Sequence, residues 1–345
     1  MRVRIGLHWC PGPRAGTGAE SQRMPASSSL YEPIATDLEK VCAVFDDELF
    51  SDLPIVNELC AHLRHYRGKM LRPGLLLLSA RACGKVTDEH LALAAIVELI
   101  HMATLVHDDV LDEADVRRRG PTIHRLEGNE AAVLLGDYLF SHAFHLCSSL
   151  DSQYASRILG ATTNTVCEGE LHQVHHRGDL NLSQEQYLEI ITRKTASLIG
   201  TCCRVGAHFA GADERVAATL EQYGLSFGIA FQITDDVLDI TGNEDRMGKS
   251  LGRDLQKRKL TLPLIHSLAK SPPETQRRLR KLLTTEEPDR STVCQILGET
   301  DSVSFALATA RKYVETATTA LEVLPPSDAR DALRRMATLV SEREQ

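Results

Sequence analysis

The 345-residue chain is poor in aromatic residues, with one Trp, seven Tyr and eight Phe. So few large rings suit helices better than a β-sandwich or barrel, whose strands favour them. Positive charge is short as well: 39 Lys and Arg stand against 47 Asp and Glu, a formal net charge of −8. A general nucleic-acid binder needs a basic surface to replace phosphate counterions, so that class is excluded. No uncharged apolar run approaches the roughly 18 residues of a membrane span, and no span is expected. The nine cysteines include no C-x-x-C pair. An odd count without that spacing leaves neither a zinc ribbon nor a disulfide frame. Thiols kept reduced point to a cytoplasmic protein. Cys202 and Cys203, with no base pattern beside them, are expected to pack as apolar groups. Alternating β-branched runs and fixed-period repeats are missing too, so neither a sheet nor a solenoid is expected.

What remains is helical. Residues 1–30 stand apart, with four Arg against the single acid Glu20, three prolines and no apolar signal core. They are expected to be a disordered or non-native tail, with Met24 as the natural start, or alternatively an organellar transit peptide. Residues 31–345 are expected to form one all-α domain. Leu91–Asp115 contains neither Gly nor Pro, and its apolar residues recur at three- and four-residue steps. Ala131–Leu150, Gln153–Gln173, Ser183–Ala210 and Asp213–Ile240 read the same way. Gly242–Arg258 is a long, charged connection of the kind that is often functional.

The most informative residues are Asp108-Asp109-Val-Leu-Asp112 and Asp235-Asp236-Val-Leu-Asp239, one pattern occurring twice. On a helix, positions i and i+4 share a face, so each cluster points carboxylates in one direction. Their repulsion calls for compensation, and hard divalent cations held through oxygen supply it; Mg²⁺ takes one or two carboxylates plus phosphate oxygens. Strongly apolar neighbours argue against a merely solvated acidic face. Basic residues occur where a diphosphate would need them: Lys69 and Arg72, Arg117 and Arg118, Lys194, Lys249, and Lys259.

Taken together, these motifs resemble the trans-isoprenyl (polyprenyl) diphosphate synthase family from about Tyr31 onward. The match runs through Gly68-Lys69-x-x-Arg72-Pro73, Glu98-Leu-Ile-His101, the first Asp motif with Arg117-Arg118, Lys194-Thr195, Phe231-Gln232 before the second Asp motif, and Gly248-Lys249. Arg67 replaces the first of the family's paired glycines, and Arg119 intervenes before Gly120. The resemblance implies a helical bundle around a deep central cavity, commonly a homodimer, using Mg²⁺. It implies that Asp108, Asp109, Asp112, Asp235, Asp236 and Asp239 hold the metal ions. Lys69, Arg72, His101 and Arg118 would hold isopentenyl diphosphate. Arg117, Lys194, Thr195, Gln232 and Lys249 would hold the allylic diphosphate, with Lys259 close by. The released diphosphate would accept the proton.

Product length should follow from room along the first Asp helix. Ala103 and Thr104, one turn before Asp108, are small. A medium- to long-chain product, hepta- to decaprenyl, is expected, with a deeper floor at Phe140 or Phe144. The alternatives are a shorter-chain (geranylgeranyl or farnesyl) synthase and a subunit of a heteromeric synthase with a small regulatory partner. A terpene cyclase is disfavoured by the Lys69, Arg72 and His101 set, which a cyclase would not need. His107 reads as a helix residue supporting the site. His172, His175 and His176 have zinc-compatible spacing but no fourth ligand in register, so a solvated or cavity-rim role is expected.

Overall fold

The computed structural model describes residues 28–63, 66–118, 120–242 and 251–342. A single turn, Ser28–Tyr31, leads into α1 (Ala35–Glu48), α2 (Pro54–His62), α3 (Leu71–Cys83) and α4 (Asp88–Leu111). A two-residue hairpin pairs Val116–Arg117 with Gly120–Pro121. Then follow α5 (Ile123–Ser149), α6 (Gln153–His175), α7 (Gln184–Ile191), α8 (Ser197–Phe209) and α9 (Glu214–Thr241). The C-terminal part adds α10 (Arg253–Gln256), α11 (Leu262–Lys270), α12 (Pro273–Leu283), α13 (Arg290–Glu299), α14 (Ser302–Ala320) and α15 (Asp328–Glu342). Among the described residues the hairpin is the only sheet. The fold is an all-α bundle around a deep cavity of about 1630 Å³.

Four consecutive leucines, Leu75–Leu78, are each fully buried. They point around the whole circumference of α3, which requires a helix wrapped by neighbours. It packs on α1, α4, α8 and α15. Each leucine taken from water contributes about 1.5–3 kcal/mol. The α3–α8 crossing depends on Gly206, where a Cβ would sit 2.2 Å from the Leu76 carbonyl oxygen. Cys202 and Cys203, on the same helix, are buried thiols, as expected.

The expected helices are found with shifted ends. α4 starts before Leu91 because Thr87 closes a capping box with His90, the Thr87 N–H donating to His90 Nδ1 at 3.0 Å. It stops short of Asp115 because Glu113 turns left-handed, φ 46°. By length and composition α4 is apolar enough to cross a membrane, yet it lies mostly buried in the bundle. The run expected over Ser183–Ala210 is broken into α7 and α8 by a π-helical turn, Thr192–Ala196. The tail expected over residues 1–30 lies outside the described residues up to 27, while Leu30 and Tyr31 already line the cavity. The connection expected over Gly242–Arg258 includes the helical turn α10 where it is described.

Candidate active site

Both acidic clusters end long helices at one cavity, α4 for the first and α9 for the second. Asp108, Asp112, Asp235 and Asp236 line it; Asp109 and Asp239 do not. Asp109 is 1% exposed, and its oxygens are taken from inside the protein. Tyr66 donates its hydroxyl at 2.7 Å, and Arg117 donates from Nε at 2.9 Å and Nη2 at 2.7 Å. A buried carboxylate needs such partners. Asp239 is likewise buried and accepts from the Asp254 backbone N–H at 3.1 Å. Of the six carboxylates expected to hold metal, Asp108, Asp112, Asp235 and Asp236 thus face the cavity, and Asp109 and Asp239 lie behind its lining with partners inside the protein. Arg117, expected among the diphosphate-holding cations, lines the cavity and also pairs with Asp109.

The second motif repeats the tyrosine device. Tyr187 donates to Asp236 Oδ2 at 2.7 Å, and Gln232 Nε2 donates to Oδ1 at 2.7 Å. Gln232 in turn accepts from the Thr195 hydroxyl at 3.0 Å, so two of the expected diphosphate residues form one chain with Asp236. Among the described residues no cation takes the place of Arg117 here. Burial, with Asp254 nearby, pushes the Asp236 carboxyl well above the ordinary range, although Tyr187 and Gln232 pull it down.

The first cluster is ringed by cations instead. Lys194 lies 3.4 Å from Asp108 and also pairs with Glu170. Burial disfavours the Lys194 charge, but Asp108 and Glu170 outweigh it and hold the ammonium above its usual range. Lys194 is aimed by the π turn, whose backbone presses against Gly169 of α6: a Cβ there would meet the Lys194 nitrogen at 2.5 Å. Lys259 Nζ donates to Asp112 Oδ2 at 2.7 Å, and Arg177 Nη2 donates to Oδ1 at 3.2 Å. Glu170 and Arg177 were missed by sequence reading, because neither belongs to a repeated or charged motif. Lys249 lies outside the described residues.

A second polar group lies along α3, α4 and the hairpin. Lys69, Arg72, His101 and Arg118 all line the cavity with the buried Glu98. Arg118, at φ 47°, donates to the Tyr66 carbonyl. Burial, then Arg72, Arg118 and Arg117, hold the His101 imidazole well below its usual range, so it is neutral at pH 7. A neutral ring here is a hydrogen-bond donor without adding to the positive charge.

Among the described residues no three His, Cys, Asp or Glu side chains converge as a metal cage. Each helix end offers a pair of carboxylates instead. That donor set fits a hard cation such as Mg²⁺, which keeps most of its shell for water and phosphate oxygens. The remaining cavity wall is apolar toward Thr104, Leu105, Phe140 and Val166. Of the two small residues expected to set product length, Thr104 faces the cavity, whereas Ala103 is fully buried beside its lining. Phe140 is a wall residue; Phe144 is 45% exposed and forms no floor. His107 lines the wall, held by the Val133 carbonyl at 3.1 Å and beside Phe140 at 5.9 Å. Of the three histidines on α6 and its end, His176 reaches the rim, its Nδ1 3.0 Å from Asp179.

The polyprenyl synthetase family model matches residues 53–300. Octaprenyl diphosphate synthase of Escherichia coli is 33% identical, over 91% of this chain and 98% of that protein. Heptaprenyl diphosphate synthase component 2 of Geobacillus stearothermophilus is 34% identical over 92% of this chain and 98% of its own. A polyprenyl synthase from Caulobacter crescentus, solved with calcium and isoprenyl diphosphate, superposes with TM-score 0.87 at 36% identity, covering 93% of this chain and 98% of that one.

Proposed function

The chain belongs to the polyprenyl synthetase family, and from that premise we propose that it condenses isopentenyl diphosphate repeatedly with an allylic diphosphate. The product is an all-trans medium- to long-chain polyprenyl diphosphate, hepta- to decaprenyl, and the by-product is diphosphate. One observation carries this reading: two carboxylate clusters and their cations face a single cavity whose far wall is apolar. The octaprenyl and heptaprenyl relatives support the chain-length class over the shorter alternatives.

Bound at Asp108 and Asp112 and at Asp235 and Asp236, Mg²⁺ would neutralise the charge that develops on the departing diphosphate. Lys194 and Lys259 face the same charge and need no reorganisation, since Glu170 and the Asp carboxylates already aim them. Thr195 and Gln232 orient Asp236 from the opposite side. Lys69, Arg72 and Arg118 hold isopentenyl diphosphate, and the neutral His101 adds a hydrogen bond. Holding both anionic substrates together makes the coupling effectively unimolecular. The growing chain runs past Thr104 and Phe140.

Assembly as a homodimer is part of the proposal. It is supported by exposed apolar residues on adjoining helices, Ile55 at 59% on α2 and Leu134 at 61% and Phe144 at 45% on α5. Cytoplasmic residence is supported by free thiols at all eight described cysteines. The test is incubation of purified protein with isopentenyl diphosphate and geranyl, farnesyl or geranylgeranyl diphosphate, with and without Mg²⁺, and sizing of the products. Mg²⁺-dependent products of hepta- to decaprenyl length are expected. Products no longer than geranylgeranyl would refute the chain-length class, and no turnover with any primer would favour a subunit that needs a partner.

A further inference from the structure

We propose that Arg177 is a diphosphate-binding residue of the allylic subsite, a third cation beside Lys194 and Lys259; this rests on the function proposed above. Arg177 lies just past α6, in a turn fixed from both sides. Asp179 accepts from the Asn181 N–H at 2.9 Å and faces His176 Nδ1 at 3.0 Å. Gly178, at φ 81°, donates its N–H to the Arg258 carbonyl at 2.9 Å. That single backbone bond ties the turn to the segment that carries Lys259. Arg177 and Lys259 are thereby held together at Asp112, one on each carboxylate oxygen.

The guanidinium is under-used as a purely structural partner. Among the described residues its one side-chain bond is a single contact at 3.2 Å to Asp112, and its buried Nε makes none. An arginine fork with spare donors, lining a cavity between two other cations, matches the planar arrangement of phosphate oxygens. Under the proposed function Asp112 would help to hold the cation, which would leave the Arg177 and Lys259 side chains free to meet the phosphates of the substrate.

The test is steady-state kinetics of Arg177→Gln at saturating Mg²⁺, together with calorimetric binding of inorganic diphosphate to the Mg²⁺-loaded protein. Loss of one charge-assisted contact should raise the allylic diphosphate KM about tenfold and weaken diphosphate binding to a similar degree. The isopentenyl diphosphate KM should stay within about twofold, and Arg177→Lys should recover part of the loss. Unchanged allylic KM and diphosphate affinity would overturn the assignment. So would a shift confined to the Mg²⁺ concentration for half-maximal rate, which would mean that Arg177 only steadies Asp112. Wild-type protein that turns over no allylic substrate would sink the proposed function instead. If the Gln variant does not fold, Arg177→Lys carries the same comparison, since it keeps the charge and loses the fork.

Discussion

Replacing Tyr187 by Phe removes one hydroxyl, and that hydroxyl is 2.7 Å from a carboxylate already forced toward its protonated form. Tyr187 stabilises the ionised state of Asp236 against burial and against Asp254. A hydrogen bond to a charged group is worth about 1.5–3 kcal/mol, so losing it should weaken the ionised form by about that much and push the Asp236 carboxyl further up. The sign follows directly. Asp236 must be ionised to share in holding a cation, so a higher pKa means that activity is lost at a higher pH. The acid limb of the kcat/KM profile should shift to higher pH, with the plateau at alkaline pH largely recovered. Tyr66→Phe is the internal control: Asp109 there keeps the Arg117 charge, so the limb should stay in place. An acid limb that does not move in Tyr187→Phe, or moves equally in both variants, would refute the reasoning.

Tyr66→Phe should instead lower stability by about 2–4 kcal/mol, because it strips a donor from Asp109 and an acceptor from the Ile123 N–H, 3.2 Å away; urea unfolding measures this. Thr104→Phe should shorten the product while leaving the fold intact, and Phe140→Ala should lengthen it, both read by chromatography of the dephosphorylated products. Ala103→Phe should chiefly destabilise, by about 1–3 kcal/mol, since that position is fully packed; thermal melting separates this from a change in product. Gly169→Ala should raise the allylic KM by pushing the Lys194 backbone away, with isopentenyl diphosphate KM little changed. Chelation of divalent cations should abolish turnover yet leave the circular dichroism of the helices unaltered, because among the described residues no three His, Cys, Asp or Glu side chains converge as a cage for the fold to depend on.

Most of the long helices were legible because their apolar residues recur at three- and four-residue steps, and the paired Asp motifs because a repeated charge pattern inside apolar sequence is costly without a purpose. What was hidden is the direction each carboxylate takes. Asp108 and Asp109 look equivalent as letters, but Tyr66, 43 positions earlier, draws only the second inward. The same holds for Ala103 and Thr104, adjacent residues that a helix points about 100° apart, so that only one reaches the cavity. Glu170 and Arg177 are ordinary surface charges by sequence, and only the folded turn sets them against Lys194 and Asp112. The break at Thr192–Ala196 escaped notice because a π turn needs neither Gly nor Pro.

That break also separates two demands that a regular helix would bind together. An α-helix rotates about 100° per residue, so the extra residue in the turn offsets α8 from α7 by about that angle. Lys194 can therefore point at one quarter of the compass while Gly206 keeps its backbone on α3. Deleting a single residue from the turn would re-index every position after it. The chain would then have to surrender either the aim of its ammonium or the close crossing of two core helices. With the offset in place, each can be altered by substitution without disturbing the other.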